Sequence, residues 1–276
     1  MKIKYLFTVI LFALLTSCIT LSEDNFFFPE DKGNITFEKE HIIQRLNLKI
    51  DDLTALDGVV IKNNSKNYLV YFYGNGQSIY ESFERLIFLS KEFNLNVICF
   101  DYRGYGKSTG KPDFDNLQSD ALLIYDFVIK NFKPDKIFIF SQSIGTVPCV
   151  AIGSTKKVDG IIMEAPFNNA KEAVSRMTEG LIPPFCWIIK FDVEKRLKDK
   201  KPQPDNMIKN FTAPLLIIHG KNDDCFPVDI GEKMYKAAGS KDKKFVILPD
   251  TKHDNVDITK GVGYEELKMF FKNVCY

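Results

Sequence analysis

The chain has 276 residues and a formal net charge of +1. Its lysines are interleaved with acids and form no basic stripe, so nucleic-acid binding has no electrostatic support. Apolar residues make up 45% of it, enough for a sizeable core in one large α/β domain or two small ones.

Residues 1–17 read as a leader outside the fold. Lys2 and Lys4 make a positive start, residues 5–15 are an apolar run, and Leu15-Thr16-Ser17-Cys18 follows. The run is shorter than the about 20 residues a transmembrane helix needs and has the layout of a signal peptide. Its LTSC ending resembles a bacterial lipobox. That resemblance implies cleavage before Cys18, acyl chains such as palmitate on Cys18, and a lipoprotein held on the cell-envelope membrane facing outside the cytoplasm. Several acyl chains anchor stably where one does not. An ordinary signal anchor with an incidental cysteine is the alternative. The other cysteines are Cys99, Cys149, Cys186, Cys225 and Cys275, with no CxxC pair and no metal-ligand spacing. Their odd count in an exported protein argues against a disulfide framework, and neither a metal nor a cofactor is expected.

Residues 18–36 form a tether in which Phe26, Phe27 and Phe28 are expected to pack on the domain that follows, residues 37–276, with a dip toward the membrane surface as the alternative. Residues 42–50 alternate in part and predict an edge strand. Residues 56–61 predict its partner, with Asp57-Gly58 as a turn signal. Residues 68–73 are an apolar run of strand length, followed at once by Gly74-Asn75-Gly76. Residues 78–91 have helical periodicity. Residues 96–100 predict a strand that ends in Asp101-Tyr102-Arg103-Gly104-Tyr105-Gly106-Lys107-Ser108, and residues 115–132 a helix stopped by Pro134.

The stretch from Lys136 to Thr146, KIFIFSQSIGT, organises the rest. Ile137, Phe138, Ile139 and Phe140 are apolar without alternation, as a central parallel strand covered on both faces should be. A tight turn with a central serine and then a helix follow, which is the context of a nucleophile elbow. The usual pattern is G-x-S-x-G. Ser143 has Gly145 two positions on, and the first glycine is replaced by Ser141. A polar turn with serine as N-cap is the plainer alternative.

Residues 158–163 predict the next strand. Residues 167–210 interrupt the pattern with Pro183-Pro184, Phe185, Trp187 and a lysine-rich patch, and read as a mostly helical lid insertion over the sheet. Phe185 and Trp187 either line an acyl pocket or simply pack. Strand, helix, strand and helix follow at 214–218, 228–238, 244–248 and 263–273. Alternating strands and helices without a repeat predict an α/β domain with one doubly wound, mostly parallel sheet.

A serine hydroxyl needs a base and a group that orients the base. Of the three histidines, His41 precedes the fold's first strand, His219 ends a strand, and His253 follows the last strand in LPDTKHDN. In doubly wound hydrolases the order is serine, acid, histidine.

These segments resemble the α/β-hydrolase superfamily, within it the branch of membrane-associated, serine-aminopeptidase-like hydrolases with an H-G-N oxyanion loop and a D-Y-R-G-Y-G turn. The likeness runs from about Tyr68 to the end and is carried by YGNG at 73–76, FDYRGYGKS at 100–108, HGKNDDCFP at 219–227 and LPDTKHDN. It implies Ser143 as nucleophile, His253 as base, Asp223 rather than Asp224 as acid, and the backbone amides of Asn75 and Ile144 as oxyanion donors. Tyr73 replaces the family's histidine. Asp101 and Arg103 are expected to hold their own turn, Gly104 and Gly106 to supply unusual backbone angles, and His219 to support the acid loop. The implied activity is serine hydrolysis of an acyl ester, thioester or amide on a small-molecule or lipid-like substrate, an ester before a peptide. The rival readings are a membrane-tethered binding lipoprotein with a degenerate hydrolase fold, and an acyltransferase using the same residues.

Overall fold

The computed structural model describes residues 18–29, 42–178, 190–193 and 203–275. The leader, His41, Phe185, Cys186 and Trp187 lie outside these.

An eight-stranded sheet forms the centre. Its strands are β2 (Ile42–Lys49), β3 (Ala55–Lys62), β4 (Asn67–Phe72), β5 (Asn96–Phe100), β6 (Lys136–Gln142), β7 (Gly160–Glu164), β9 (Leu215–Gly220) and β10 (Lys243–Leu248). Their spatial order is β10-β9-β7-β6-β4-β5-β3-β2. Only the ladders of β3 with β2 and with β5 are antiparallel; the rest of the sheet is parallel. Parallel neighbours need crossovers. These are α1 (Ile79–Phe93), α2 (Phe114–Phe132), α3 (Thr146–Thr155) and, between β9 and β10, α6 (Val228–Ala237), with α7 (Gly261–Cys275) closing the fold.

Position in the sheet follows composition. β5, β7 and β9 are buried at every residue, and β6 at all but its first. β10, at the edge, alternates over its second half, with Val246 and Leu248 buried and Ile247 exposed. The helices start on side-chain caps. Ser78 and Glu81 form a capping box on α1, and Asp113 accepts from the Asn116 N–H at 2.6 Å on α2.

One expectation is corrected. Asp57-Gly58 is not a turn but lies inside β3, where a Cβ on residue 58 would stand 2.5 Å from the Phe100 ring. Glycine is there for close approach, and the turn falls instead at 51–54, where Asp51 accepts from the Leu53 and Thr54 amides. The described elements of the 167–210 stretch are α4 (Ala170–Thr178), a strand β8 (Lys190–Val193), α5 (Pro204–Met207) and a 3-10 turn at Ile208–Asn210. β8 pairs in parallel with β1 (Cys18–Leu21), a strand in the segment expected to be only a tether. Among the described residues no helix is long and apolar enough to cross a membrane.

Candidate active site

β6 delivers Ser143 at the carboxyl end of the central sheet, where parallel sheets place their sites. The chain reverses through a short 3-10 turn, Ser143–Gly145, into α3. Ser143 has a φ of 51°, a left-handed conformation costing a non-glycine residue about 1–3 kcal/mol. That strain is characteristic of a nucleophile elbow. Gly145 is needed because a Cβ there would sit 2.4 Å from the Phe72 carbonyl oxygen. At the other flank Ser141 is fully buried, and its hydroxyl reaches the Ile162 carbonyl at 3.4 Å. A small side chain with its hydroxyl satisfied thus fits where the family pattern has glycine.

The loops after β9 and β10 bring the other two groups to Ser143. Nε2 of His253 lies 3.0 Å from Ser143 Oγ, and its Nδ1 lies 2.8 Å from Asp223 Oδ2. A carboxylate only accepts, so Nδ1 carries the proton and Nε2 is left to accept from the serine hydroxyl. The two loops are stitched by Lys221 N–H to Leu248 O and Asn222 N–H to Thr251 O, both 2.9 Å. Gly220 permits this contact, since a Cβ there would stand 2.4 Å from the Thr251 oxygen.

Asp223 is fixed on every side. Its Oδ1 accepts from the Cys225 and Phe226 amides at 2.9 and 2.7 Å. Its Oδ2 also faces Nε2 of buried His219 at 3.2 Å, and that nitrogen lies 2.7 Å from the Phe226 carbonyl. Burial pushes the Asp223 carboxyl up, but the hydrogen bonds from His219, His253 and Phe226 outweigh it and hold the group well below the usual carboxylate range. Burial pushes His253 down, and the bond and charge of Asp223 override it to leave the imidazole above its ordinary value. Asp224 is exposed and faces Lys252 at 3.2 Å. The structure therefore brings Ser143, His253 and Asp223 together and leaves Asp224 apart, while His219 braces the acid loop as expected.

The YGNG loop follows β4 beside the elbow, with Asn75, Ser143 and Ile144 lining one cavity. Tyr73 takes over a bracing role that its identity did not announce. Its hydroxyl donates to Asp101 Oδ1 at 3.2 Å and accepts from the Tyr102 amide at 3.0 Å. Asp101 also accepts from the Ile79 and Lys107 amides, so it ties the YGNG loop and α1 to its own turn. Burial raises its carboxyl to about 6 against the pull of those donors. Gly106, at φ 48°, passes so close that a Cβ would meet the Asp101 carboxylate at 2.0 Å. Arg103 instead reaches out of its turn, to a bidentate pair with Asp120 of α2 at 2.7 and 2.8 Å.

Sequence reasoning missed three groups. Glu164, at the end of β7, is fully buried and pairs in bidentate fashion with Arg85 of α1 at 2.5 and 3.2 Å. Phe226 stands edge-on to the His253 ring at 5.2 Å. The side chain of Asn75 binds the N-terminal segment. An isolated charge in an amphipathic helix, or an amide in a loop, gives no local sign of such partners.

The cavity in front of Ser143 has a volume of about 290 Å³. Its walls are mostly apolar, with Phe26, Phe28, Ile144, Phe167 and Phe226 around Ser143 and His253. Among the described residues no group of three His, Cys, Asp or Glu side chains is arranged to hold a metal ion.

A family model described as Serine aminopeptidase, S33 matches residues 65–191. The uncharacterized protein R595 of Acanthamoeba polyphaga mimivirus is 30% identical over 247 residues, covering 83% of this chain and 81% of that protein. The lysophosphatidylserine lipase ABHD12 of Danio rerio is 26% identical over 222 residues, which cover 76% of this chain and 56% of the lipase. The chain thus spans about half the length of that relative. The Pyrococcus furiosus esterase Pf2001 has the same fold, with a TM-score of 0.69 at 20% identity over 90% of this chain and 97% of that one. In sequence and in fold, the chain belongs to the α/β-hydrolase superfamily.

Proposed function

We propose that the protein is a serine hydrolase of acyl esters, with Ser143, His253 and Asp223 as its triad. The observation that carries this reading is the unbroken hydrogen-bonded line from the Ser143 hydroxyl through His253 to Asp223, with Ser143 and His253 lining an apolar cavity. His253 takes the proton from Ser143 as the hydroxyl attacks the acyl carbonyl, and Asp223 holds the imidazole in the working tautomer and stabilises its charged form. The amides of Asn75 and Ile144 receive the oxyanion. His253 then protonates the leaving alcohol, and water, activated by the same imidazole, releases the acid from the acyl-enzyme. The mostly apolar lining favours an acyl ester over an aminoacyl amide. The lysophospholipid lipase among its relatives supports the same substrate class.

The protein is exported and anchored through a lipid on Cys18, a reading supported by the charged start, apolar run and LTSC ending of the first eighteen residues. Labelling by a fluorophosphonate tests the reaction. Wild type reacts and Ser143→Ala does not; equal labelling of the two overturns the assignment, and labelling of neither returns the chain to a binding role. Metabolic incorporation of labelled palmitate, lost in Cys18→Ala, tests the anchor.

A further inference from the structure

The segment ahead of the sheet is built into the site. Glu23 is buried, and its Oε1 accepts from the backbone N–H of Phe114, the first residue of α2, at 2.6 Å. An acid at a helix N-terminus meets orphan amide donors and a favourable dipole. Phe27 is buried as well, and its ring and that of Phe26 lie 5.1 and 5.6 Å from the Phe114 ring. These contacts dock residues 21–28 against the cavity, whose lining includes Leu21, Asn25, Phe26 and Phe28.

The docking reaches the loop that holds the oxyanion donor. Asn75 grips the backbone of the segment with both ends of its amide. Its Nδ2 donates to the Phe26 carbonyl at 2.8 Å, and its Oδ1 accepts from the Phe28 N–H at 3.0 Å. The Tyr105 hydroxyl donates to the same Oδ1 at 2.6 Å and fixes the amide's orientation. Leu21, Phe26 and Phe28 thereby line the same cavity as Ser143 and His253.

We propose that residues 21–28 are part of the acyl-binding site, with Phe26 as the residue that sets the acyl chain length accepted and Asn75 as the residue that positions the segment. This rests on the hydrolase reading above. A cavity of about 290 Å³ is at the lower limit of the roughly 300–1,000 Å³ typical of ligand pockets, which suits a single unbranched acyl chain rather than a two-chain lipid. Phe26 stands in the wall, so its size determines how far that chain extends.

The test uses p-nitrophenyl acetate, butyrate, octanoate, laurate and palmitate with the full chain, comparing wild type with Phe26→Ala, Phe26→Trp and Asn75→Asp. Fluorophosphonate labelling of Ser143 checks each variant for an intact site. Phe26→Ala raises the laurate-to-butyrate ratio of kcat/KM on the order of tenfold, and Phe26→Trp lowers it by a similar factor. Asn75→Asp keeps the acceptor but loses the donor to the Phe26 carbonyl, so the ratio shifts in the direction of Phe26→Ala. Any effect of that change on the oxyanion amide is common to all the esters and cancels in the ratio. Chain-length profiles of the labelled variants that superimpose on wild type overturn the proposal and leave the hydrolase reading standing. A wild type that neither labels nor turns over any ester overturns both. If Phe26→Ala does not fold, Phe26→Trp decides alone.

Discussion

Changing Asp223 to asparagine tests the arrangement at one atom. Oδ1 of Asp223 is held by two backbone N–H groups, from Cys225 and Phe226. In Asp223→Asn only the amide oxygen can take that place, so the NH₂ must occupy the position of Oδ2. There it faces His253 Nδ1 at 2.8 Å and His219 Nε2 at 3.2 Å. His219 Nε2 already donates to the Phe226 carbonyl, so the new donor is left opposing another donor. His253 must then turn a bare Nδ1 to the amide and carry its proton on Nε2, facing Ser143. An imidazole in that tautomer cannot accept the serine proton. The comparable change in a Ser-His-Asp triad costs about 10⁴ in kcat, or about 5.5 kcal/mol of barrier. Steady-state ester hydrolysis measures it, and Asp224→Asn serves as control. Asp224 is exposed and pairs with Lys252 at the surface, and an asparagine there keeps an oxygen acceptor for the His253 amide, so that variant stays within about twofold of wild type. Asp223→Asn retaining kcat/KM within tenfold of wild type, or Asp224→Asn falling further than Asp223→Asn, refutes the reasoning.

His253 must be neutral to act as base, and its surroundings raise it above 6.5. The kcat/KM therefore climbs with pH through an acidic limb centred above 6.5 and then levels. An acidic limb centred below 6.5 in a pH–rate profile contradicts this. Ser141→Gly, which restores the usual elbow pattern, changes kcat by less than about threefold, because Ser141 already fits with its hydroxyl on Ile162; a gain of a hundredfold shows that serine distorts the elbow. Removing Arg85 leaves the Glu164 carboxylate buried without its partner. Arg85→Met lowers stability by about 3–5 kcal/mol in denaturant unfolding, and a loss under 1 kcal/mol shows that water reaches Glu164.

What could be read from residue order and what could not divide along a physical line. The apolar strand at 137–140, the serine turn and the two polar loops after β9 and β10 carry their signals locally, in run length, turn residues and spacing. The same holds for His219, whose place at the end of an apolar strand sets it under the acid loop. Asp57-Gly58 misled because glycine serves both turns and close approaches, and only the Phe100 ring, 42 residues on, distinguishes them. The N-terminal segment was legible only as phenylalanines seeking cover. Its partners lie 47 residues away at Asn75 and 91 away at Phe114, and backbone carbonyls and amides have no sequence signature. The β1–β8 ladder is harder still, since four residues at each end make no pattern of their own.

The parallel pairing of residues 18–21 with residues 190–193 has a practical result for anyone preparing this protein. Shortened versions of a protein are commonly made by cutting away everything ahead of the first strand of the main sheet. Here a cut after residue 28 would strip β8 of its neighbour, uncover the amide of Asn75, and take the carboxylate from the first turn of α2, all in one step. A version that starts at Cys18 or just ahead of it keeps all three.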